Sequence, residues 1–226
     1  MSGRAKAVAF DVIGTLFDIS PLDGRLMAIG LPQGSLEVWF ARVLRDAFAL
    51  EVSGDFRPFR EVASGALRVL LEQHSVATTS QNIEQVLSAF AQLPAHDDVE
   101  PAFRLLRDAG IPIALLTNGS NETTRKMIEN AGLADYVAHY FSIDDVKHWK
   151  PRREAYLHAA NALNVAPEEL ALVAAHDWDT HGAGAAGLIS AGVLRKPFSN
   201  AFHSLDITGD TLVEVVEKLL MGKDAH

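Results

Sequence analysis

The sequence of 226 residues is long enough to bury a sizeable core and fits either one domain or a core with an insertion. Its net charge of -9, without a basic block, argues against nucleic acid and anionic membranes as partners, and its lack of cysteine excludes disulfides, thiolate metal sites and a cysteine nucleophile. No apolar run approaches the ~20 residues of a membrane span, and the chain enters its first predicted strand at once, so we expect a cytoplasmic protein.

The predicted elements begin with a short apolar segment, Ala7 to Phe10, that is followed by Asp11. An apolar run closed by a turn is typical of a fully buried parallel strand. Ligands bind beyond the carboxyl ends of such strands, and Gly14 can turn backbone N–H groups toward the same place. We therefore interpret Asp11 as a reactive carboxylate; the alternative is a carboxylate that only caps a turn.

The segment after this strand carries helical patterns and no strand pattern. Residues 20–34 are rich in proline and glycine, which predicts a linker and loop. Apolar residues at helical spacing then predict helices that begin at Ser35, Phe56 and Ser80 and extend to about Ala91. This pattern indicates an all-helical insertion.

Strands and helices alternate again after the insertion. We predict strands over Ile113 to Leu116, Tyr140 to Ile143, Leu170 to Ala175 and Ile189 to Leu194. We predict helices from Asp97 or Asp98 to Arg107, and over Asn121 to Asn130, Arg152 to Leu163, Asp179 to Gly187 and Thr211 to Met221. Repeated strand–helix units imply an α/β fold with a parallel sheet covered on both faces. Residues 1–19 and 92–226 are assigned to this core domain and residues 20–91 to a helical cap domain.

Polar groups follow three more of the predicted strands. Thr117 and Asn118 can bind an anion at a helix N-terminus, or the segment can simply cap that helix. Lys150 follows Asp144 and Asp145 and can neutralise a site that holds two carboxylates, although most lysines are solvated surface charges. The His176-Asp177-Trp178-Asp179 segment could bind zinc, but such histidines more often form hydrogen bonds within their loop.

These motifs resemble, in order and over nearly the whole chain, those of the haloacid dehalogenase superfamily. The stretch FDVIGTLFD is similar to its first motif, which implies that Asp11 is the nucleophile. The resemblance implies a Rossmann-like three-layer α/β/α core with a helical cap, and assigns Thr117 and Asn118 to substrate or leaving-group binding. Lys150 and Tyr156, at KPxxxxY spacing, resemble the (S)-2-haloacid dehalogenase branch, in which both line the site. The last acidic motif of the superfamily falls on Asp179.

Two departures from the phosphatases of that superfamily guide the functional prediction. Ile13 and Ala175 stand where those enzymes place further acids. Phosphoryl transfer brings negative oxygens to a carboxylate and needs a metal ion, whereas attack on carbon needs a bare carboxylate. We therefore predict no metal and no cofactor, with Lys150 as counter-charge. The alternative is a Mg²⁺-dependent phosphatase using Asp11, Asp179 and the carbonyl of Ile13.

The predicted reaction is hydrolytic dehalogenation of a short 2-haloacid. Asp11 displaces halide to form an ester, and water positioned near Asp179 and Lys150 hydrolyses it. The predicted substrate-binding residues are Thr15, Arg42, Thr117, Asn118, Tyr156 and His176. Arg42 is the candidate cap cation, with a solvated helix face as the alternative, and His176 replaces the asparagine typical of dehalogenases. We predict a small-molecule substrate, no nucleic acid or membrane partner, and a possible homodimer. A degenerate member that binds an anion or a protein is the other alternative.

Overall fold

A computed structural model of the protein describes residues 5–222, so residues 1–4 and 223–226 of the predicted core domain lie outside the described part. The chain forms one sheet with the strands β1 Ala7–Phe10, β2 Ile113–Thr117, β3 Val137–Ser142, β4 Leu170–Ala174, β5 Ile189–Val193 and β6 Ile207–Gly209. The strand order is β3-β2-β1-β4-β5-β6, and all neighbours are parallel. The predicted α/β fold class is confirmed.

Helices occupy most of the remaining chain. They are α1 Pro21–Ala28, α2 Ser35–Ser53, α3 Phe59–Gln73, α4 Ser80–Leu87, α5 Val99–Asp108, α6 Asn121–Asn130, α7 Ile143–Val146, α8 Arg153–Ala162, α9 Asp177–Ala185 and α10 Leu212–Met221. None of the helices between residues 5 and 222 is long and apolar enough to cross a bilayer.

The sheet is covered on both faces because successive side chains of a strand point in opposite directions. Val8 and Phe10 of β1 belong to one hydrophobic cluster, which also holds buried side chains of α5 and α10. Ala7 and Ala9 belong to a second cluster with buried side chains of α8 and α9. Every residue of β1, β2, β4 and β5 is buried, so these strands present their polar neighbours only at the strand ends.

Helices α1 to α4 lie between β1 and α5 in the chain and dock onto the core. The indole Nε1 of Trp39 in α2 donates to the carbonyl of Ala63 in α3 at 3.0 Å, which fixes two helices together. Glu51 at the far end of α2 accepts a hydrogen bond from the backbone N–H of Trp149 at 2.8 Å and lies 2.9 Å from Nδ1 of His148. Glu51 therefore connects the helical insertion to the loop that carries Lys150.

The prediction of a loop over residues 20–34 is wrong, because this segment contains α1. Proline is compatible with the first turn of a helix, where Pro21 stands, and the buried side chains of Leu22 and Leu26 hold one face against the core. Gly34, with a φ of 82°, is the N-cap of α2, so Ser35 does not cap that helix. The short elements β6 and α7 were not predicted, since three- and four-residue segments carry too little periodicity.

Candidate active site

Asp11 lies directly after β1 and has polar partners at both carboxylate oxygens. Its Oδ1 accepts a hydrogen bond from Nζ of Lys150 at 3.0 Å. Its Oδ2 accepts one from the hydroxyl of Thr15 at 2.6 Å and lies 3.0 Å from Nδ1 of His176. These partners come from the loops after β1 and β4 and from the loop before α8, so the sheet brings Lys150 and His176 to Asp11 from distant parts of the sequence.

Lys150 is the fully buried cation of this cluster. Its Nζ donates to Asp11 Oδ1, to Asp179 Oδ2 at 2.6 Å and to the carbonyl of Leu116 at 2.8 Å, which uses the donors of an ammonium group. Asn118 holds the backbone of the same residue: its Oδ1 accepts from the N–H of Lys150 at 3.0 Å. The lysine is therefore fixed between the two carboxylates.

Asp179 lies in the first turn of α9 and is fully buried. Its Oδ2 accepts from Lys150, and its Oδ1 accepts from the hydroxyl of Tyr156 at 2.7 Å. Tyr156 reaches this position from α8 and is itself fully buried. The structure thus brings Asp179 and Tyr156 into one hydrogen-bonded cluster with Lys150 and Asp11.

The cluster shifts the pKa values of its two carboxyl groups in opposite directions. Burial alone raises the pKa of Asp11, but the charge of Lys150 and the hydrogen bonds from His176 and Thr15 hold that pKa well below its usual value. Burial raises the pKa of Asp179; Lys150 opposes this effect and the charge of Asp11 adds to it. Burial lowers the pKa of Lys150, but the two carboxylates raise it above the ordinary lysine value. Asp11 is therefore an ionised carboxylate at neutral pH.

His176 follows β4 and is held from three sides. Its ring stacks on Phe40 of α2 with centroids 6.5 Å apart and on Trp178 with centroids 5.4 Å apart. Gly14 has a φ of +84°, and a Cβ atom added there would lie 3.0 Å from Nε2 of His176. Glycine at position 14 therefore serves both the turn after β1 and the close approach of this ring.

Thr117 and Asn118 lie where the sequence predicts them, at the end of β2. The hydroxyl oxygen of Thr117 accepts from the N–H of Gly119 at 2.9 Å, which leaves its own hydrogen available to another acceptor. Both residues line a small cavity beside Asp11. Asn118 also positions Lys150, a role that the sequence did not suggest.

This small cavity has a volume of about 20 Å³, which is enough for about one water-sized group. Its wall on the side of the helical insertion consists of Phe40, Leu44 and Phe59. Sequence reasoning missed these residues as site components, because apolar residues at helical spacing look the same whether they face a core or a cavity. Trp149 and Trp178 also line the cavity and pack against neighbouring rings.

The structure does not bring Arg42 into this cluster, so the prediction of a cap cation at this position is not supported. Its guanidinium donates to Oε1 of Gln73 in α3 at 2.9 Å. Phe40 and Leu44, one helical turn apart, face the cavity. Arg42 lies two residues from each of them, which places its side chain about 200° around the helix axis from theirs and away from Asp11.

Magnesium does not fit the donor set at Asp11 and Asp179. Mg²⁺ requires oxygen ligands in near-octahedral geometry, but each carboxylate oxygen already accepts a hydrogen bond from a protein donor, and both residues share Nζ of Lys150. Ile13 and Ala175 add no side-chain ligand. Between residues 5 and 222, no group of three or more His, Asp or Glu side chains is arranged to hold a metal ion.

Comparison with known proteins gives consistent matches over most of the chain. A family model described as haloacid dehalogenase-like hydrolase matches residues 5–187. Haloacetate dehalogenase H-2 of Moraxella sp. is 28% identical over 219 residues, which cover 96% of this chain and 97% of that protein. (S)-2-haloacid dehalogenase 1 of Pseudomonas sp. is 28% identical over 219 residues, 95% of this chain and 96% of its own. The structure of L-2-haloacid dehalogenase from Xanthobacter autotrophicus superposes with a TM-score of 0.87 at 22% identity, over 94% of this chain and 97% of that one.

Proposed function

Since the chain belongs to the haloacid dehalogenase-like hydrolases, we propose that it hydrolyses the carbon–halogen bond of short 2-haloacids without a metal ion. The observation that carries this proposal is the buried ion pair of Asp11 and Lys150, in which an ammonium group 3.0 Å from the carboxylate balances its charge. The names of the two curated relatives, a haloacetate dehalogenase and an (S)-2-haloacid dehalogenase, support the same substrate class.

In the first half-reaction, Asp11 attacks the carbon that bears the halogen. A bond forms between a carboxylate oxygen of Asp11 and this carbon while the carbon–halogen bond breaks and the halide leaves with its electron pair. The lowered pKa of Asp11 keeps the nucleophile ionised. Phe40, Leu44 and Phe59 enclose the site with apolar surface, and removal of water makes a carboxylate a stronger nucleophile.

In the second half-reaction, water attacks the carboxyl carbon of the aspartyl ester. The ester bond breaks on the side of Asp11, which regenerates the carboxylate and releases a 2-hydroxyacid. Lys150 and Asp179 are in place next to the reacting carboxyl group, and Tyr156 fixes Asp179. Oxygen from water therefore enters Asp11 during the first turnover, because the departing product carries away the oxygen that formed the ester.

The size of the site favours a short substrate. The cavity beside Asp11 is about 20 Å³, so a haloacid requires the neighbouring side chains to move apart. A haloacetate or 2-halopropionate requires the least displacement. We propose Thr117 and Asn118 as the polar groups that meet the substrate, since both line this cavity.

Halide release tests the proposal. Purified protein is incubated with fluoro-, chloro- and bromoacetate and both enantiomers of 2-chloropropionate, with chelator or with Mg²⁺. We expect halide release that chelator leaves unchanged and that Asp11→Asn abolishes. Phosphate release from a phosphoester panel that stops on chelation would support a phosphatase instead. Inactivity on both panels, with ligand-induced thermal stabilisation, would indicate a binding protein.

A further inference from the structure

We propose that Glu51, in the last turn of α2, is a positioning residue for Lys150, so that the helical insertion helps to place a charge of the core. Glu51 does not line the cavity beside Asp11. It acts through the backbone of Trp149, the residue directly before Lys150. This inference rests on the proposed function, because it gives Glu51 a part in holding Lys150 beside Asp11 during turnover.

Both carboxylate oxygens of Glu51 bind the segment that precedes Lys150. Oε2 accepts a hydrogen bond from the backbone N–H of Trp149 at 2.8 Å, and Oε1 lies 2.9 Å from Nδ1 of His148. Nε of Arg152 lies 3.7 Å from Oε1, so a cation after Lys150 also faces this carboxylate. The side chain of Glu51 is only 12% exposed, so water competes little for its oxygens. Hydrogen bonds to a carboxylate are about twice as strong as those between neutral groups.

The core binds the next backbone N–H of the same segment. Oδ1 of Asn118, which follows β2, accepts a hydrogen bond from the N–H of Lys150 at 3.0 Å. Two successive backbone donors are therefore held by different parts of the molecule: Trp149 by the helical insertion and Lys150 by the core. Because a backbone N–H moves with its Cα atom, these two bonds fix the point from which the Lys150 side chain starts.

The indole of Trp149 attaches the segment to the helical insertion a second time. Its Nε1 donates to the carbonyl of Arg57 at 3.0 Å, and its ring packs against Phe59 with centroids 6.3 Å apart. Trp149 is fully buried, so neighbouring atoms restrict its movement. Glu51 lies near the end of α2, Arg57 in the connection to α3 and Phe59 at the first residue of α3. One short region of the insertion therefore holds the residue before Lys150.

The placement of Lys150 matters because its ammonium group must reach three acceptors. Nζ donates to Oδ1 of Asp11 at 3.0 Å, to Oδ2 of Asp179 at 2.6 Å and to the carbonyl of Leu116 at 2.8 Å. The side chain is fully buried, so a displaced ammonium group leaves Asp11 without its counter-charge in a site that solvent hardly reaches. A misplacement of about 1 Å in such a site can lower a rate about 10²-fold.

Variants of Glu51 separate positioning from packing. Glu51→Ala removes both acceptors, whereas Glu51→Gln has almost the same shape and keeps an oxygen for the N–H of Trp149. Asn130→Ala is the matched control, because Nδ2 of Asn130 in α6 donates to the carbonyl of Ala91, at the end of the predicted cap domain, at 2.9 Å. This control loses a contact between core and insertion that does not involve the segment before Lys150. Steady-state kinetics with chloroacetate measure kcat and KM, and thermal melting checks the fold.

Chemical labelling of lysine adds a measurement that does not depend on activity. Each folded protein is treated briefly with acetic anhydride, and mass spectrometry compares acetylation of Lys150 with that of the exposed Lys126. Acetylation requires an unprotonated amine that the reagent can reach, so the fully buried Lys150 of wild type should be protected. Glu51→Ala frees the segment before Lys150 and should therefore increase its labelling.

We expect Glu51→Ala to lower kcat about 10- to 100-fold while KM changes by less than about threefold. Labelling of Lys150 relative to Lys126 should rise about tenfold in the same variant, because local opening becomes more frequent. Glu51→Gln and Asn130→Ala should keep kcat within about threefold of wild type and should leave Lys150 protected. If Glu51→Ala does not fold, Glu51→Asp, whose carboxylate is one methylene shorter, is tested by the same two measurements.

The inference is overturned if either kcat or the labelling of Lys150 stays at its wild-type value in folded Glu51→Ala. An equal loss of kcat in Glu51→Ala and Asn130→Ala would also overturn it, because any weakened contact of the insertion would then have the same effect. Failure of the proposed function looks different: wild-type protein would release no halide from any haloacid, and labelling alone would then report whether Glu51 positions Lys150.

Discussion

The two walls of the cavity beside Asp11 differ in their chemistry. The wall built by the core contains the polar side chains of Asp11, Thr117, Asn118 and His176 beside Ile13, Trp149 and Trp178. Lys150 lies outside this lining and binds both Asp11 and Asp179. The wall built by the helical insertion consists of Phe40, Leu44 and Phe59. In the proposed reaction the core wall therefore supplies the nucleophile, whereas the cap wall encloses it with apolar surface, and substitutions in the two walls should have different consequences.

The largest effect is expected from loss of the nucleophile in the core wall. Asp11→Asn keeps the size of the side chain and removes its charge, so halide release should fall by about 10⁴-fold or more. Asp177→Asn is the matched control, because Asp177 accepts hydrogen bonds from Trp178 and Ser199 rather than from the cluster. Measurable halide release by Asp11→Asn at the wild-type rate would remove Asp11 from the mechanism.

Lys150→Met should show how much the positive charge of Lys150 contributes to the stability of the folded protein. This change leaves two buried carboxylates without their shared counter-charge, so the free energy of unfolding should fall by about 3–5 kcal/mol. Urea denaturation at neutral pH measures the change. Lys126→Met, at an exposed pair with Glu122 on α6, should leave the free energy of unfolding nearly unchanged, because solvent screens exposed ion pairs. A fall of the same size in both variants would show that Lys150 does not balance the buried charges.

The pH dependence of stability should also trace to the core wall. The folded-state pKa of Asp11 lies below its unfolded value of about 3.9, so its stabilising contribution is complete above that pH and is lost as the pH falls through the folded-state pKa. Below about pH 4, the free energy of unfolding of wild type should therefore fall more steeply than that of Asp11→Asn. Denaturant titrations at several acidic pH values measure both slopes.

Asp179→Asn should change the acid dependence of stability in the direction opposite to Asp11→Asn, as measured in the same titrations. The folded-state pKa of Asp179 is raised, because burial disfavours its ionised form, so acidification through that pKa relieves a destabilising charge. Removal of this group should make the acid-induced loss of stability steeper than in wild type. Identical slopes for wild type, Asp11→Asn and Asp179→Asn would contradict the opposed protonation of the two carboxyl groups.

In the cap wall, Phe40 should control substrate size. Phe40, Leu44 and His176 separate the small cavity beside Asp11 from a neighbouring cavity of about 650 Å³. Phe40→Ala should join the two spaces and raise kcat/KM for 2-haloacids with longer side chains about tenfold relative to haloacetate. Leu36→Ala, which lines only the larger cavity, is the control and should leave the ratio unchanged. An unchanged ratio in Phe40→Ala would show that this ring does not limit substrate size.

The smallest effect is expected at Arg42. Because its guanidinium binds Gln73 in α3, Arg42→Gln should change kcat/KM for haloacetate by no more than about twofold, the size expected for an exposed polar contact. Steady-state kinetics at low and at moderate ionic strength measure the effect. A fall of more than tenfold would mean that the cap presents this cation to the substrate after all.

The sequence predicted mainly those site residues that belong to the core domain. Asp11 and Thr117 stand at the carboxyl ends of buried apolar strands, and the parallel order of those strands brings these ends to one edge of the sheet. Lys150 lies in the loop before α8. The pattern of strands therefore predicted that Asp11 and Thr117 would lie close together, whereas Lys150 was predicted from its resemblance to the KPxxxxY motif. The cap residues Phe40 and Phe59 carry no such signal, because helical periodicity does not distinguish burial in a core from exposure to a cavity.

The amino-acid sequence by itself determined the α/β fold, the helical insertion after β1 and the position of Asp11 at the end of β1, because these depend on local patterns of apolar and polar residues. Lys150 was predicted from its resemblance to the KPxxxxY motif. Only the tertiary structure decided that Arg42 faces α3, that Asn118 holds Lys150 and that His176 and Thr15 share one oxygen of Asp11. These contacts depend on the rotation of helices and the direction of side chains across distant segments, and packing fixes those directions only when the whole chain is folded.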